Sequence, residues 1–347
     1  MNTNKLVMLG FGNVGKAFAQ LLLKKQADLN KLYELELQVV GIGTGSHGFI
    51  QNAAGIDLNQ VLDVLDSGKS LDTIPSDYTP SNAMELLETC GADVLVETTP
   101  VNYETGEPGL SHIRSALEKS MHAVTANKGP VVHGYRDLAT LAASKRRKFY
   151  FESAVMDGAP VFGMCRECLP GSRITSFRAV LNSTTNLILT EMEKNQSFED
   201  AVRYAQSIGI AETDPSGDVD GWDASIKVAA LVTVLMDYPL TPGQVDRTGI
   251  GGLTLEQVQQ AKAQGKRWKL VCEAKKKNGE LEAVVSPRQV TPEDSLFHLD
   301  GTSSAITVQS DTLGPLTLRE DSPGPETTAY GLLADTLNAL GYSFAAC

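Results

Sequence analysis

Residues 5–25, "KLVMLGFGNVGKAFAQLLLKK", contain the strongest indication of the fold in the first half of the sequence. It begins with a short apolar run typical of a buried strand, continues through a glycine-rich turn, and ends with apolar residues at helical spacing. The turn carries Gly10-x-Gly12-x-x-Gly15. Between a strand and a helix, the first glycine permits the turn, the second lets the backbone approach a pyrophosphate, and the third lets the helix pack closely. The stretch therefore predicts a dinucleotide-binding site formed by Gly10, Phe11, Gly12, Asn13, Val14 and Gly15.

Further strands alternate with helices along the first half of the chain. The segments that read as strands, each after a helical stretch, are "LELQVVGIGTG" (35–45), "ADVLVETTP" (92–100) and "KFYFESAV" (148–155). This order predicts a Rossmann-type, doubly wound parallel sheet over residues 1–150, which a C-terminal helix in residues 322–347 joins. Residues 151–321 mix strands with helices and predict a second, α+β domain.

Two strands of the predicted sheet end in residues that suit a cofactor. One ends in Thr98, Thr99 and Pro100, and "TANKGP" (125–130) adds Lys128 after another apolar strand. Because a doubly wound sheet binds ligands at the carboxyl ends of its strands, we expect these residues at the nicotinamide. A turn and a solvent-facing lysine are the structural alternatives.

The end of the second strand bears on the choice between NAD and NADP. An acid there bonds the ribose of NAD, and an arginine nearby accommodates the 2′-phosphate of NADP. Here the strand is followed by Thr44, Ser46 and His47, with neither an acid nor an arginine in "GIGTGSHG". Both cofactors stay open.

Composition limits the class of protein. The net charge of -12 argues against a nucleic-acid surface, which needs clustered lysine and arginine. The N-terminus lacks the pattern of a signal peptide, and no apolar run approaches the roughly 18 residues of a membrane span. The five cysteines are scattered, which is typical of reduced thiols in the cytoplasm. Cys165 and Cys168 form a C-x-x-C without a second pair or a nearby histidine, so buried or half-buried thiols are favoured over zinc or redox chemistry.

An acidic run precedes a single lysine in "AETDPSGDVDGWDASIKVAAL", residues 211–231. A solvated loop followed by a helix is the plain interpretation. A helix that starts near Asp220, with that residue as its cap, would put Asp223 and Lys227 on one face. The five carboxylates belong to Glu212, Asp214, Asp218, Asp220 and Asp223.

Successive motifs together resemble homoserine dehydrogenases. They are "GFGNVG", "VTANKGP", "FESAVMDGAPV", "LNSTTNLILTEM", "AQSIGIAETDPSGDVDGWDASIK" and "PGPETTA", in that family's order and spacing. The resemblance implies the interconversion of L-homoserine and L-aspartate 4-semialdehyde with NAD or NADP, in threonine and methionine biosynthesis. It ends where many relatives continue into a regulatory ACT domain, so a short form without that feedback control is expected. A sister dehydrogenase for another small amino-acid alcohol or semialdehyde is the alternative.

The resemblance also implies roles for individual residues. Lys227 is the acid/base, Lys128 is the second lysine at the reacting oxygen, and Asp223 orients Lys227. Glu212, Asp218 and Asp223 hold the substrate's ammonium group, while the turn containing Ser183, Thr184 and Thr185 offers donors to its carboxylate. Because a base must be deprotonated to accept the hydroxyl proton, we expect homoserine oxidation to run best at alkaline pH.

The resemblance further implies a sodium-type cation site and a homodimer formed through the second domain's sheet. The cation would be held by Glu152 and by main-chain carbonyls of Val155, Asp157 and Ala159, although Asp157 stands where a small residue is more usual. Gly324 in "SPGPETTA" would join the cofactor pocket. A carboxylate-ligated metal in the acidic run is a further hypothesis, for which no partnering histidine or cysteine is present.

Overall fold

The computed structural model describes residues 2–277 and 279–343. The chain divides into two compact units: the first comprises Met1–Gly158 and Gly324–Cys347, and the second comprises Ala159–Pro323. Each unit is described by itself. Residues 344–347 of the predicted C-terminal helical segment lie outside the described residues.

The first unit begins with six strands and five helices. The strands are β1 (Asn2–Leu9), β2 (Leu35–Thr44), β3 (Gly48–Gln51), β4 (Val94–Glu97), β5 (His122–Thr125) and β6 (Phe149–Tyr150). The helices are α1 (Asn13–Tyr33), α2 (Leu58–Asp66), α3 (Ala83–Thr89), α4 (Gly109–Glu118) and α5 (Lys128–Ser144), with 3₁₀ turns at Leu71–Thr73 and Glu152–Ala154.

One sheet organises the first unit, in the order β3-β2-β1-β4-β5-β6. All neighbouring strands are parallel except the antiparallel pair of β2 and β3. The strand order in sequence reverses across the sheet between β1 and β4, which is where a doubly wound sheet opens a crevice for a ligand. The predicted Rossmann-type fold is confirmed. The predicted strand 148–155 is too long, because the chain leaves β6 for a 3₁₀ turn at Glu152.

The second unit contains the remaining strands and most of the remaining helices. The strands are β7 (Ile174–Val180), β8 (Asp246–Arg247), β9 (Arg267–Lys277), β10 (Glu280–Val290), β11 (Ser304–Ser310) and β12 (Leu316–Glu320). The helices are α6 (Val161–Gly163), α7 (Ser183–Glu193), α8 (Phe198–Ser207), α9 (Ser216–Val219), α10 (Trp222–Leu235) and α11 (Leu255–Ala263), with a π turn at Met164–Cys168 and a 3₁₀ turn at Pro242–Gln244.

The sheet of the second unit is mixed, in the order β12-β11-β7-β9-β10-β8. Its neighbours are antiparallel apart from β10 and β8. Helices α7, α10 and α11 pack against β9. The predicted α+β second domain is confirmed by this architecture.

The chain returns to the first unit with α12 (Pro325–Ala339), which packs against α1. Its apolar side chains, including Leu332 and Leu333, complete the hydrophobic cluster formed by Leu6, Met8 and Phe18. In the part of the chain that the structure describes, no helix is both long enough and apolar enough to cross a membrane.

Candidate active site

The glycine-rich turn joins β1 to α1 beside the carboxyl end of β4. Gly10 has φ +91°, and its N–H donates to the carbonyl of Gly43 at 2.9 Å. A Cβ on Gly10 would lie 2.5 Å from the backbone of Thr98, and one on Gly15 would lie 2.7 Å from the carbonyl oxygen of Gly10. Thr98 holds the turn from the other side, because its hydroxyl donates to the Gly10 carbonyl at 3.0 Å. Only glycine fits at both positions.

Gly12 differs from its two neighbours in the motif. It is exposed, caps α1 with its backbone, and has no atom within 4 Å of a Cβ built on it. Asn13 is exposed beside it, whereas the side chains of Phe11 and Val14 pack into the hydrophobic cluster. The first N–H groups of a helix have no intrahelical acceptor, and the helix dipole adds a positive end there. The open side of Gly12 therefore fits the pyrophosphate of a dinucleotide.

Lys128 lies just beyond the end of β5, as the first residue of α5. Asn127 caps that helix, and its side-chain oxygen accepts the N–H of Gly129 at 2.9 Å. The side-chain nitrogen of Asn127 donates to the carbonyl of Thr99 at 3.2 Å. The structure thus joins Lys128, through its cap, to the Thr99–Pro100 turn that follows β4.

Four side chains of the second unit form what we call the acidic cluster: Asn182, Asp218, Asp223 and Lys227. Lys227 Nζ lies 3.1 Å from an oxygen of Asp223, one helical turn earlier on α10, and 2.7 Å from the carbonyl oxygen of Leu181. Asn182 Nδ2 donates to Asp218 at 2.6 Å and to Asp223 at 3.0 Å. The amide group of Asn182 therefore donates one hydrogen to each carboxylate, and these two bonds offset the repulsion between Asp218 and Asp223.

Electrostatics set the cluster apart from an ordinary acidic loop. Burial raises the pKa of Asp218 above its usual value, and the charge of Asp223 adds to the rise. Hydrogen bonds from Asn182 and Thr184 and the charge of Lys227 oppose it. A carboxyl group whose pKa is shifted in this way, beside a partly buried ion pair, is typical of a functional site. On β9, burial raises the pKa of the Cys272 thiol to about 12, so this neighbour stays neutral.

Helix α10 starts later than the sequence predicts. The prediction that Asp220 caps it is wrong, because α10 begins at Trp222 after Gly221, and Asp220 instead terminates α9. Gly221 has φ +81°, a conformation that favours glycine and ends the short helix before the longer one begins. Asp223 still lies in the first turn of α10, where the helix dipole favours a negative charge.

The predicted turn at Ser183–Thr185 is the first turn of α7. Asn182 caps the helix by accepting the N–H of Thr185 at 2.8 Å. The hydroxyl of Thr184 lies 3.3 Å from the carbonyl oxygen of Ile210, and that of Thr185 donates to the carbonyl of Asn182 at 3.1 Å. Those two hydroxyls are used within the protein, so the backbone N–H groups at the helix end are the better donors for a substrate carboxylate.

Two other acids of the run lie outside the cluster. Glu212 is exposed, and its carbonyl oxygen accepts from Gln206 at 3.1 Å. Asp214 is exposed as well, and it shapes the turn by accepting the N–H of Ser216 at 3.0 Å. Within residues 2–277 and 279–343, no set of three or more His, Cys, Asp or Glu side chains is arranged to hold a metal ion.

The predicted cation loop is tied to α12 in the first unit. Glu152 is buried, and its N–H donates to the carboxylate of Asp335 at 2.7 Å. Asp157 has φ +41°, and its side chain accepts the hydroxyl hydrogen of Thr328 at 2.7 Å. Val155 is buried beside them. Carboxylate and carbonyl oxygens suit a hard cation, and the Asp157 side chain is directed to Thr328.

The remaining two predicted residues make local contacts. In the second unit the Ala159 carbonyl accepts the N–H of Val161 at 2.8 Å. Gly324 caps α12, is half-buried, and its N–H donates to Thr327 at 2.9 Å, while a Cβ built on it meets nothing within 4 Å. Gly12 and Gly324 thus both leave open space at the N-terminus of a helix.

Sequence reasoning missed Asn182 and Glu97. Asn182 stands immediately before a helix, and asparagine is a preferred N-cap, so its capping role had a recognisable signal. Its second role, as the hydrogen-bond donor to both Asp218 and Asp223, had no signal in the sequence, because these residues are 36 and 41 positions away. Glu97, at the end of β4, is completely buried.

Comparison with known proteins gives one family across the chain. The family model described as "Homoserine dehydrogenase" matches residues 160–337, and "Homoserine dehydrogenase, NAD binding domain" matches residues 10–152. The NAD(+)-dependent homoserine dehydrogenase of Pseudomonas canavaninivorans is 34% identical over 339 residues, which are 97% of this chain and 96% of that protein. The homoserine dehydrogenase of Methanocaldococcus jannaschii is 34% identical, over 96% of this chain and 97% of that one.

Solved structures agree. A putative homoserine dehydrogenase from Archaeoglobus fulgidus has a TM-score of 0.85 at 29% identity, over 96% of this chain and 98% of that chain. A hyperthermophilic archaeal homoserine dehydrogenase in complex with NADPH has a TM-score of 0.81 at 29% identity, over 99% of this chain and 100% of the other. The resemblance found in the sequence motifs is confirmed, and the chain belongs to the homoserine dehydrogenase family, the NAD(P)-dependent oxidoreductases that act on a CH–OH group.

Proposed function

We propose that the acidic cluster carries the acid/base chemistry of the NAD(P)-dependent interconversion of L-homoserine and L-aspartate 4-semialdehyde, the activity of this family. The observation that carries the proposal is the contact of Lys227 with Asp223 at 3.1 Å and with the Leu181 carbonyl at 2.7 Å. These two acceptors fix the amine in one position, and a positioned amine can exchange a proton with a reacting oxygen.

Lys227 takes the proton from the hydroxyl oxygen of homoserine as the hydride leaves the carbon that carries this hydroxyl, and it returns the proton to the oxygen in the reverse reaction. A nicotinamide cofactor, when bound, would supply the hydride chemistry at that carbon. Asp223 orients the Lys227 amine, and Lys128 stabilises negative charge on the reacting oxygen. This assignment is supported by the position of Lys128 at a strand end, where ligands of doubly wound sheets bind.

The substrate's charged groups are assigned to two carboxylates of the cluster and to groups outside it. Asp218 and Asp223 attract the α-ammonium group, with Glu212 as an outer carboxylate that would have to approach from its exposed position. The first N–H groups of α7, at Ser183 and Thr184, bind the α-carboxylate, because a helix N-terminus attracts anions. The cofactor residues proposed are Gly10, Phe11, Gly12, Asn13, Val14, Gly15, Thr98, Thr99, Pro100, Lys128 and Gly324.

The cation site, the roles of the two units and the oligomer belong to the same proposal. Glu152 and the carbonyl groups of Val155, Asp157 and Ala159 would hold sodium, whose hard character matches oxygen ligands.

The first unit binds the cofactor, and the second binds substrate and forms a homodimer through the sheet face that carries Arg178, Glu273 and Lys275. Arg178 bonds Glu273 there at 2.7 Å. A single species of monomer mass in sedimentation would contradict the dimer. A cytoplasmic location, where the buried thiols of Cys90 and Cys272 stay reduced, completes the proposal.

A substrate panel tests the activity. Reduced nicotinamide is followed by its absorbance with L-homoserine, L-serine and 4-hydroxybutyrate, each with NAD and with NADP at alkaline pH. We expect turnover of L-homoserine and weak turnover of 4-hydroxybutyrate, which lacks the ammonium group that the carboxylates attract. Turnover of L-serine in preference to L-homoserine would support a sister dehydrogenase instead.

A further inference from the structure

Glu97 is a buried acid to which the mechanism above gives no task. It is the last residue of β4, it is 0% exposed, and it belongs wholly to the first unit. A buried carboxylate is costly unless a cation or several donors compensate it. The groups in hydrogen-bonding contact with Glu97 are neutral: Thr99, Thr125 and Asn127.

These four residues form a closed set of hydrogen bonds, which we call the Glu97 ring. Oε1 of Glu97 accepts the N–H of Thr99 at 2.9 Å and also contacts the Thr99 hydroxyl. Oε2 lies 2.7 Å from the Thr125 hydroxyl. Asn127 closes the ring, since its N–H donates to the Thr125 hydroxyl at 2.9 Å and its side chain donates to the Thr99 carbonyl at 3.2 Å.

Counting hydrogens at Thr125 indicates the protonation state of Glu97. The Thr125 oxygen accepts from Asn127, and it lies 3.0 Å from the carbonyl oxygen of Glu97 as well as 2.7 Å from Oε2. Its single hydroxyl hydrogen cannot make a full hydrogen bond to both of these oxygens. A proton on Oε2 resolves the conflict: Oε2 donates to Thr125, and Thr125 donates to the carbonyl. Each contact of the Thr125 hydroxyl then has its own hydrogen.

The packing around the ring supports the neutral form. A Cβ on Gly109 would lie 2.8 Å from Asn127 Nδ2 and 3.2 Å from Glu97 Oε2, so the first residue of α4 packs directly against the ring. Burial raises the pKa of Glu97 above its ordinary value, and the hydrogen bonds from Thr99, Thr125 and Asn127 oppose the rise.

The ring connects the two strand ends that the proposed function brings to the cofactor. Asn127 is the N-cap of α5 and so fixes the start of the helix whose first residue is Lys128. The same side chain holds the Thr99 carbonyl. A change at Glu97 is therefore transmitted to Thr99 and to Lys128 together.

We propose that Glu97 is a positioning residue that works as a neutral carboxylic acid, donating to Thr125 and accepting from Thr99, and so holds the Thr99–Pro100 turn and Lys128 in place for hydride transfer. The role in hydride transfer rests on the function proposed above for Lys128. The protonation state does not, because it follows from the contacts of Glu97 alone.

The substitution Glu97→Gln tests the proposal. Glutamine has one acceptor oxygen for Thr99 and an NH₂ group that donates to Thr125, so it reproduces a neutral acid and not a carboxylate. We expect Glu97→Gln to keep kcat with L-homoserine within about threefold of wild type, because each hydrogen bond is retained. Glu97→Leu, which removes the bonds at similar volume, should lower kcat by about tenfold or more and change KM less, because Lys128 is displaced. A folded Glu97→Gln enzyme that loses as much kcat as Glu97→Leu would overturn the proposal.

Infrared spectroscopy provides a readout that is independent of activity and of the leucine variant's folding. The difference spectrum of wild type minus Glu97→Gln at the assay pH should contain the C=O band of a protonated carboxyl group. The matched control is Glu88→Gln, whose glutamate side chain is 60% exposed, and its difference spectrum should show a carboxylate band. A carboxylate band for Glu97 would contradict the proposal. If wild type does not oxidise homoserine but the acid band is present, the proposed function fails and the protonated Glu97 stands.

Discussion

The glycine-rich turn of the first unit and the acidic cluster of the second are built in different ways. The turn needs the absence of side chains: a Cβ on Gly10 or Gly15 would meet backbone atoms within 2.7 Å. The cluster consists of side chains brought together from three segments, with Asn182 between Asp218 and Asp223. The first feature is local in sequence and specifies a backbone shape. The second depends on the tertiary fold and specifies a charge distribution, so the two respond to substitution in different measurements.

Of the substitutions that distinguish the two regions, Asn182→Ala in the acidic cluster is expected to have the largest effect on activity. The substitution removes the amide between two carboxylates, so they repel each other and Asp223 no longer orients Lys227. We expect kcat/KM for L-homoserine to fall about 100-fold, as for a small displacement of a reacting group. Steady-state kinetics with purified protein measure this.

Asn82→Ala is the matched control for that substitution. Asn82 also caps a helix, by accepting the N–H of Glu85 at 2.9 Å, and it is exposed in the first unit. Both alanine variants lose a cap, which costs about 1 kcal/mol of unfolding free energy. Only Asn182→Ala should lose activity. Equal activity in the two variants would mean that Asn182 is a cap and nothing more.

The glycine turn is tested by comparing Gly10→Ala with Gly12→Ala. Gly10→Ala forces a side chain into a left-handed conformation and against Thr98, which should lower the unfolding free energy by about 2–4 kcal/mol. Gly12→Ala meets open space, so the melting temperature should stay unchanged while KM for the nicotinamide cofactor rises about tenfold. Thermal melts and cofactor titrations distinguish the two results. An unchanged cofactor KM in Gly12→Ala would mean that the pyrophosphate does not bind at this turn.

The sequence predicts the local arrangements of both regions and misses those that depend on the tertiary fold. Gly10, Gly12 and Gly15 form one short local motif, and Asp223 and Lys227 lie one helical turn apart, so spacing alone predicts both arrangements. Asn182 and Asp218 are 36 residues apart, and Glu97 and Thr125 are 28 apart on neighbouring strands. No local pattern encodes those pairs. The sequence predicts the start of α10 near Asp220, whereas the left-handed Gly221 separates α9 from α10 and has no unique local signal.

A smaller effect is expected from Asp218→Asn, which separates stability from binding in the acidic cluster. Because burial raises the folded-state pKa of Asp218, the folded protein holds its proton more tightly than the unfolded chain does. The contribution of Asp218 to the free energy of unfolding therefore has its full value below pH 3.8, the ordinary aspartate pKa. It is lost as the pH rises through the folded-state pKa. Asparagine keeps an acceptor for Asn182 and avoids that loss.

The Asp218→Asn protein should therefore melt at a higher temperature than wild type at neutral pH, and the difference should shrink on acidification. Its KM for L-homoserine should rise about fivefold, because one attraction to the ammonium group is lost. Thermal melts across pH, together with KM values, measure both effects. A lower melting temperature at neutral pH would show that the Asp218 charge stabilises the fold.

Proton transfer by Lys227 is tested by the oxidation of L-homoserine at alkaline pH by wild type, Lys227→Ala and Lys227→Arg. Arginine keeps a positive charge near Asp223 and cannot give up its proton, so it separates charge from proton transfer. If Lys227 is the acid/base, both variants should stay folded and lose about 10³-fold in kcat. If Lys227→Arg retains kcat within about tenfold of wild type, the lysine acts through its charge alone and the acid/base assignment is wrong.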